Sequence, residues 1–292
     1  MDGFINVNKP AGITSFDVIR TLSRAYRKVK MGHLGTLDPM ATGVLPVAIG
    51  NATRLIEYIN NRTKVYAARM VLGGVSDTQD ATGNITWTKP DRVEPEQIIA
   101  AVQSFTGMIL QTPPMYSAVH HQGKRLYELA RKGETVEVKP RQVQIDAIDI
   151  TDISWNESGR VQVSLQVKCS EGTYIRTLCH DIGQKLGSGA YMDKLTRISS
   201  GVFNLKEAYT PEMILAHGVE NYLKPLDYPL NELPAVKLDE EGWNRICHGN
   251  SIDILEECPE GIVRVYYQDR LVAMARCWRK ANLILKPVKV FN

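Results

Sequence analysis

The stretch MGHLGTLDPMATGVLP, residues 31–46, decides how the chain is interpreted. It holds three glycines, two prolines and a single carboxylate, Asp38, and it ends in an apolar run. Asp before proline is common in turns, because its side chain bonds its own backbone. Loops on a rigid scaffold also carry catalytic groups. The stretch alone therefore leaves two interpretations of Asp38 open, a turn-forming residue and a reactive carboxylate.

The whole chain has an ordinary globular composition. Its 292 residues are 43% hydrophobic and 23% charged, which predicts one or two domains with a sizeable core. The net charge of +3 neither requires nor excludes a polyanionic partner. No signal peptide and no run of about 18 apolar residues is visible, so we expect no membrane span. An odd number of cysteines, five, without a CxxC pair favours a reducing cytoplasm.

Hydrophobic periodicity predicts an α+β fold with a mixed, mainly antiparallel sheet flanked by helices. Strand-like runs cover FINVNKP (4–10), VLPVAIG (44–50), KVYAARMVLG (64–73), VQIDAIDITDISW (143–155) and RVQVSLQVKCS (160–170). Helices are predicted after Thr14 or Ser15, in ATRLIEYIN (52–60), in EPEQIIAAVQSFTG (94–107), at the basic end of residues 111–133, and in TYIRTLCHDIGQKLGSGA (173–190). The stretch GGVSDTQDATGN (73–84) predicts a surface turn rather than a calcium loop, because it lacks the distal Glu.

A second unit is predicted from the proline-rich stretch between Pro225 and Pro234. We therefore expect one domain at residues 1–230 and a small β-rich domain at residues 231–292. Short β runs are predicted in GWNRICHG (242–249), GIVRVYYQDRLVAMARCW (261–278) and LILKPVKVF (283–291). Only basic residues follow Asp269 among the charged ones. This pattern suits an RNA backbone and a solvated β surface equally well.

The familiar catalytic signatures are missing from the sequence. It contains no phosphate-binding P-loop, no dinucleotide fingerprint after a strand, no HExxH and no GxSxG. No histidine stands with cysteines or acids at a metal-ligand spacing. We therefore expect a reaction without metal, nicotinamide or ATP, and acids in loops remain as candidate reactive groups.

Five blocks of the chain together resemble the TruB family of tRNA pseudouridine synthases. They stand in the family's order, and the resemblance spans roughly residues 4 to 203: NVNKPAGITSFDVI, GHLGTLDPMATGVLP, KVYAARMVLG, PPMYSAVHHQGKRLYELARKG and CSEGTYIRTLCHDIGQKLGSGAYMDKLTR. The resemblance implies a pseudouridine synthase catalytic domain followed by a PUA-like RNA-binding domain. It also implies isomerisation of the uridine numbered 55 in the T-loop of tRNA, with the T-arm as partner, no cofactor, and a monomeric protein.

The resemblance also implies the catalytic residues. Asp38 matches the family's catalytic aspartate, Arg176 its arginine partner and Tyr66 its active-site tyrosine. An arginine suits this role because it stays charged and can contact a carboxylate at two points. A carboxylate can form a covalent intermediate. The sequence leaves open whether Asp38 attacks the base at C6 or the ribose at C1′.

Residues that hold the RNA are implied in the same way. A uridine in a folded loop must be extruded before it can react. His33 matches the family's histidine beside the flipped-out nucleotides, and Tyr174 and Leu195 match pocket-lining positions. Six basic residues are candidate phosphate contacts along a track for the T-arm: Lys9, Arg54, Lys124, Arg125, Arg131 and Arg197.

Two other classes of function compete with this interpretation. One is an RNA-binding or RNA-folding protein that keeps the scaffold without catalysis. The other is a hydrolase with an aspartate nucleophile, which would be expected to carry a DxDx[TV] motif or a P-loop, and the sequence has neither. The joint presence of Asp38, Tyr66 and Arg176 favours the enzyme.

Overall fold

The computed structural model describes residues 1–60, 62–88, 93–117, 119–254, 257–280 and 282–291, without the side chain of His121. Ala118 and that side chain, which belong to the predicted loop-to-helix stretch 111–133, therefore lie outside the described residues. Within these ranges the helices are α1 (Ser15–Ala25), α2 (Pro95–Gln103), α3 (Leu126–Ala130), α4 (Ile175–Lys185), α5 (Pro211–His217) and α6 (Glu240–Cys247).

The strands alternate with these helices along the chain. They are β1 (Gly3–Lys9), β2 (Met31–His33), β3 (Thr42–Ile49), β4 (Lys64–Leu72), β5 (Gly74–Ser76), β6 (Ile85–Trp87), β7 (Gly107–Gln111), β8 (His120–His121), β9 (Lys124–Arg125), β10 (Arg141–Trp155), β11 (Val161–Cys169), β12 (Ala190–Ser200), β13 (Phe203–Asn204), β14 (Ala235–Lys237), β15 (Ile252–Ile254), β16 (Gly261–Tyr267), β17 (Arg270–Arg279) and β18 (Leu283–Val290).

Nine strands of the described chain form one large sheet. Its order is β1-β3-β12-β4-β11-β10-β7, with β2 paired to β3 and β13 paired to β12. The pair β3–β12 is parallel and the other pairs of this sheet are antiparallel. The predicted α+β class with a mixed, mainly antiparallel sheet is therefore confirmed.

Strand β3 forms the floor beneath the loop that carries Asp38. Every residue from Gly43 to Ile49 is buried, because β3 lies between β1 and β12 and is covered on both faces. A continuous apolar run is what such a doubly covered strand requires. The buried strand predicted for VLPVAIG is confirmed, and it fixes the C-terminal end of the Asp38 loop in the middle of a sheet.

Helix α1 begins after Thr14, one of the two caps predicted for it, and a capping box forms there. Thr14 is the N-cap: Asp17 N donates to Thr14 Oγ1 at 3.0 Å, and Thr14 N donates to Asp17 Oδ2 at 2.9 Å. The buried side of α1, with Val18, Ile19 and Leu22, joins the main core. Tyr66 and Ala68 of β4 belong to the same core, so α1 covers the sheet face that carries Tyr66.

Strand β12 is an element that the sequence pattern did not predict. It pairs with β4 on one side and β3 on the other, and it sets Leu195 opposite Ala68 and Arg197 opposite Tyr66. The chain enters β12 from α4, which carries Arg176 in its first turn. Together, α4 and β12 bring the 169–197 sequence block against the Asp38 loop.

The C-terminal residues form a separate five-stranded sheet in the described chain, of order β14-β16-β17-β18-β15. The β prediction holds for residues 261–278 and 283–291 but is wrong for GWNRICHG, most of which is in α6. The physical reason is local: Asp239 accepts a hydrogen bond from Gly242 N at 2.8 Å as an N-cap, and Glu240 and Glu241 favour a helix start.

Two predicted helices are shorter than the pattern suggested. ATRLIEYIN forms two 3₁₀ turns, Gly50–Arg54 and Ile56–Tyr58. The basic helix within residues 111–133 is limited to the five residues of α3, and two of its basic residues, Lys124 and Arg125, lie in the hairpin β8–β9 before it. No helix in the described ranges is both long and apolar enough to cross a membrane.

Candidate active site

Asp38 and Arg176 are in direct contact, although 138 residues separate them in the chain. Arg176 Nη2 donates to Asp38 Oδ1 at 3.1 Å, and Arg176 Nε lies 2.8 Å from Asp38 Oδ2. The arginine side chain is 4% exposed, whereas the Asp38 side chain is 31% exposed. The carboxylate is therefore held from the protein side at two points, by one hydrogen bond and by a charge contact with Nε, which has no hydrogen-bond partner among the described residues, and it is open on the other side.

Backbone carbonyls fix the guanidinium of Arg176. Its Nη1 donates to Thr78 O at 3.3 Å, and its Nη2 donates to Tyr116 O at 3.0 Å. These carbonyls belong to two loops that follow β5 and β7. A buried guanidinium needs partners for its donors. The three loops around Arg176 therefore converge on one cation, and this convergence orients Asp38.

Asp80 is a second acid at this site, and sequence reasoning missed it. Its side chain is 6% exposed, and Oδ2 lies 3.7 Å from Arg176 Nη1. Thr78 Oγ1 and Thr82 N donate to Asp80 Oδ1 at 2.8 and 2.9 Å. The surface-turn interpretation of residues 73–84 is therefore wrong for Asp80. The signal was its position between Thr78 and Thr82, two hydroxyl residues spaced to hydrogen-bond one carboxylate.

The groups around Asp38 determine its pKa. Burial among the converging loops raises the pKa of Asp38 above its ordinary value, and the Asp80 carboxylate raises it further. The Arg176 cation is the strongest opposing influence on this pKa, and the Lys9 ammonium adds a smaller one. Asp38 is thus a carboxylate whose charge depends on Arg176.

Tyr66 lies in the core beside this pair and is 7% exposed. Burial raises the pKa of its phenol, the nearby Arg197 cation opposes that rise, and the Asp38 charge adds to it. Because the charge of Asp38 affects the pKa of Tyr66, the two side chains lie in the same site. Leu195 is buried next to Tyr66 in the same core, on the strand that pairs with β4.

Arg197 was predicted as a phosphate contact, and the structure corrects this. Its side chain is 1% exposed, and its Nε donates to Val44 O at 2.6 Å. Its Nη2 donates to Gly35 O at 3.1 Å and its Nη1 to Thr36 O at 3.5 Å. No carboxylate of the described residues pairs with it. Arg197 therefore holds the backbone on both sides of Asp38 from within the protein.

Lys9 is a second correction to the predicted basic track. It is fully buried, and its Nζ donates to Pro10 O, Ile13 O and Pro39 O at 2.8, 2.7 and 3.1 Å. Burial lowers the pKa of this ammonium to about 8. Lys9 ties the turn after β1 to the residue that follows Asp38, so it supports the loop rather than the RNA.

His33 stands at the end of β2, on the approach to the Asp38 loop. Burial lowers the pKa of its imidazole, and the cations Arg197 and Arg125 lower it further. His33 Nδ1 is buried without a hydrogen-bond partner among the described residues. The imidazole is therefore neutral at neutral pH, and Arg125 of the hairpin β8–β9 lies close enough for its charge to act on it.

The other predicted residues are spread around this centre. Tyr174 precedes α4, and its backbone exchanges hydrogen bonds with the side chain of Gln111 at 2.7 and 3.0 Å. Four of the six basic candidates remain exposed, namely Arg54, Lys124, Arg125 and Arg131. Arg54 also donates to Val290 O at 3.0 Å, so it contacts the C-terminal unit.

The chain matches one protein family over most of its length. Residues 23–175 match the description "TruB family pseudouridylate synthase (N terminal domain)", and residues 176–233 match "tRNA pseudouridylate synthase B C-terminal domain". A relative from Syntrophomonas wolfei named tRNA pseudouridine synthase B is 48% identical over 297 residues, covering 100% of this chain and 99% of the relative. One of the same name from Clostridium kluyveri is 43% identical over 252 residues, 86% of each chain.

Solved structures show the same fold. The chain superposes with a TM-score of 0.73 and 25% identity on a protein in "Structure of H/ACA RNP bound to a substrate RNA containing 2'-deoxyuridine". It superposes equally well, at 29% identity, on one in "Crystal Structure of a Cbf5-Nop10-Gar1 Complex". Each match covers 99% of this chain and 85% of the other. The fold and the site define a pseudouridine synthase. Within that class, the chain belongs to the TruB family of pseudouridylate synthases.

Proposed function

We propose that the protein converts uridine 55 in the T-loop of tRNA to pseudouridine, with Asp38 as the nucleophile. The observation that carries the proposal is the two-point contact between Asp38 and Arg176, with the carboxylate open on its other side. Family membership supports the reaction, and the relatives named tRNA pseudouridine synthase B support tRNA as the substrate.

The reaction breaks the bond between ribose C1′ and uracil N1, turns the base, and forms a bond from C1′ to C5. Asp38 adds covalently either to uracil C6 or to ribose C1′ and is released at the end, when the C5 proton leaves. Arg176 favours the charged form of the carboxylate before attack, because its cation opposes the rise in the pKa of Asp38. Substrate and product contain the same atoms, so this reaction balances without a cofactor.

Tyr66 and His33 would receive the extruded nucleotide. Tyr66 shares the environment of Asp38, and its ring provides a flat surface on which uracil can stack. Its raised pKa keeps the phenol protonated, so the hydroxyl can donate to the base. His33, neutral and with an unpartnered nitrogen, would occupy the space that the extruded nucleotide leaves. Tyr174 and Leu195 would complete the pocket wall.

The RNA-binding surface would include the four exposed bases Arg54, Lys124, Arg125 and Arg131 as phosphate contacts of the T-arm. We propose further that residues 1–230 form the catalytic domain and residues 231–292 a PUA-like RNA-binding domain. The five-stranded sheet and the bases on β17 and β18 support this assignment. The protein would act as a monomer in the cytoplasm.

The proposal is tested by tritium release from an unmodified tRNA transcript labelled at uracil C5, without added metal or nucleotide. The wild type should release tritium, and a transcript with cytidine at position 55 should not. Asp38→Asn should lose turnover by a factor on the order of 10³ or more, because an amide cannot form the adduct. Its RNA affinity should stay within about threefold, since Asp38 makes no phosphate contact.

The matched control is Asp149→Asn, which removes an exposed carboxylate from β10 and should keep full turnover. Full turnover by Asp38→Asn would show that Asp38 is not the nucleophile. Release from the transcript with cytidine at position 55 would show that the target lies elsewhere in the tRNA.

A further inference from the structure

One short segment outside the site described so far is rich in positive charge. Residues 15–30 contain five bases, Arg20, Arg24, Arg27, Lys28 and Lys30, and a single acid, Asp17. The segment therefore carries a net charge of +4. The whole chain carries +3, so the remaining 276 residues together carry −1. Residues 270–292 are also basic, with six bases and no acid, so the segment at α1 is one of several local excesses of positive charge.

Two bases of this segment lie on the outer side of α1, and the other three follow the end of the helix at Ala25. Val18, Ile19 and Leu22 face the core, while Arg20 and Arg24, one helical turn apart, are exposed. Phe16 begins the same line of residues and is 66% exposed. We give the name α1 stripe to Phe16, Arg20 and Arg24 on α1 together with Arg27 in the turn after it. It joins an exposed aromatic ring to a row of cations.

The cations of the α1 stripe have little compensation within the protein. Arg20 pairs with Asp17. No ion pair of the described residues involves Arg24 or Arg27. Arg20 and Arg24 stand four residues apart, a spacing at which like charges on a helix repel each other. Asp17 is the single acid of residues 15–30, and it compensates Arg20 but neither Arg24 nor Arg27.

The α1 stripe starts at the catalytic loop. Leu37 N donates to Ser15 Oγ at 2.8 Å, and Ser15 Oγ donates to Leu37 O at 3.1 Å, so the first residue of α1 is bonded to the neighbour of Asp38. From there the 11 residues of α1 extend about 16 Å over the sheet face that carries Tyr66. An RNA strand whose nucleotide reached Asp38 would pass within reach of the stripe.

We propose that the α1 stripe binds the sugar–phosphate backbone of the substrate RNA next to the extruded nucleotide, with Phe16 stacking on a neighbouring base. The proposal rests on the proposed function, because it takes RNA as the molecule held at Asp38. Rows of cations with an interspersed aromatic ring suit single-stranded or looped RNA, where phosphates attract the cations and exposed bases stack. An anionic lipid surface or an acidic protein would not have to start at the catalytic loop.

The test compares two double variants that remove the same charge. Arg20→Gln with Arg24→Gln removes two of the three cations of the stripe, and Lys168→Gln with Lys194→Gln neutralises two exposed lysines of β11 and β12. The two lysines stand opposite Val65 and Arg69 of β4, so they lie on the sheet face away from Tyr66. Filter binding of a tRNA transcript at several salt concentrations gives Kd, and tritium release gives kcat and KM.

We expect the stripe variant to raise Kd and KM about tenfold at low salt and to leave kcat within about twofold, because backbone contacts hold substrate and transition state equally. The slope of log Kd against log salt should fall by one to two. Phe16→Ala should raise Kd about threefold or more. If the stripe variant had the same Kd, KM and salt slope as the lysine control, the proposal would be overturned. The same result is expected if the stripe binds a protein or a membrane instead of RNA.

The test of the α1 stripe can succeed or fail independently of the test of the proposed function. If the wild type binds tRNA but does not modify it, the catalytic proposal fails while the Kd and salt slope still decide the stripe. A variant with Arg24→Gln and Arg27→Gln leaves the Asp17–Arg20 pair intact, so a loss of affinity in both stripe variants cannot come from that pair. In circular dichroism melting, both stripe variants should have the Tm of the wild type within about 3 °C. If affinity were lost only in a variant with a lower Tm than the wild type, that result would count against the stripe.

Discussion

Asp38 is subject to opposing influences on its proton, and their balance fixes the pH range in which it can react. Burial and Asp80 raise its pKa, while Arg176 and Lys9 lower it, and the net direction is upward. A group of raised pKa gains its proton at a higher pH than an ordinary aspartate. Activity that needs the carboxylate is therefore lost as pH falls through that raised value.

The arginine in this balance should not be replaceable by lysine. Arg176→Lys keeps a positive charge but loses the two-point contact and the bonds to Thr78 O and Tyr116 O. We expect kcat to fall on the order of 10²-fold and tRNA affinity to change by less than about threefold. Tritium release and filter binding measure the two quantities, and equal losses in both would indicate that Arg176 is a phosphate contact.

The second acid should tune the pH dependence with a definite sign. The Asp80 charge raises the pKa of Asp38, so Asp80→Asn should lower that pKa. The acid limb of the pH profile of kcat then moves to lower pH. On the plateau of this profile kcat falls, because Arg176 loses the Asp80 carboxylate at 3.7 Å. Tritium release between pH 5 and 8 measures this shift.

The control for Asp80 comes from the same loop. Asp77 is exposed and bonds Asn84 rather than Arg176, so Asp77→Asn should leave the acid limb in place. An acid limb that moves upward in Asp80→Asn, or equally in both variants, would contradict the electrostatic account.

Residue patterns predicted the reacting pair better than the supporting cations. The blocks around Asp38 and Arg176 indicated that the two belong to one site, and the structure brings them into contact. Lys9 and Arg197 looked like surface bases, because lysine and arginine are almost never fully buried unless paired. Their partners are backbone carbonyls, which every sequence contains. Nothing in the sequence marks which carbonyls will converge on a buried cation.

At the scale of elements, β12 shows why periodicity missed part of the fold. Its register shifts between Met192 and Lys194 and again between Arg197 and Ser199. Each irregularity of this kind inserts or displaces a residue and breaks the alternation of period two. Strands β4 and β11 pair in an unbroken register over eight residue pairs and were predicted. Strand β10 was predicted too, although its pairing with β11 shifts twice, so irregular pairing is only part of the reason. The two shifts in β12 lie beside the active site, where bulges re-aim side chains.

The parallel contact between β3 and β12 depends on one glycine. Gly43 has φ of +101°, and a Cβ on it would lie 2.3 Å from Arg197 O. Gly43→Ala must therefore adopt a strained backbone and also push the two strands apart. We expect a loss of more than about 3 kcal/mol in the free energy of unfolding, measured by urea denaturation, and a matching loss of turnover.

The control for Gly43 isolates backbone strain from the clash. Gly159, in the turn between β10 and β11, has φ of +71° with no atom within 4 Å of a built Cβ. Gly159→Ala should cost about 1 to 2 kcal/mol, the strain alone. If both substitutions cost the same, the close approach of β3 and β12 would not be the reason for glycine at position 43.

At the scale of the whole molecule, the two sheets share a hydrophobic cluster. It combines residues of the first unit, such as Phe4 and Leu55, with Met274 and Phe291 of the second. Polar contacts surround it: Arg54 lies over the ring of Phe291 at 5.3 Å, and Lys289 Nζ lies 3.1 Å from Glu57 Oε1. Units that share buried apolar surface stabilise each other, so the wild type should unfold in one transition.

Phe291 should be the residue on which this coupling depends most. It is 6% exposed, follows the last strand, and packs against the first unit at the end of the described chain. Phe291→Ala should cost about 3 to 5 kcal/mol and split urea unfolding into two transitions, with the C-terminal unit melting first. Val288→Ala, at a position 47% exposed on the same strand, should change the free energy of unfolding by less than about 0.5 kcal/mol. Near-ultraviolet circular dichroism follows both units through their tryptophans, and a wild type that already unfolds in two steps would show that the shared cluster does not couple them.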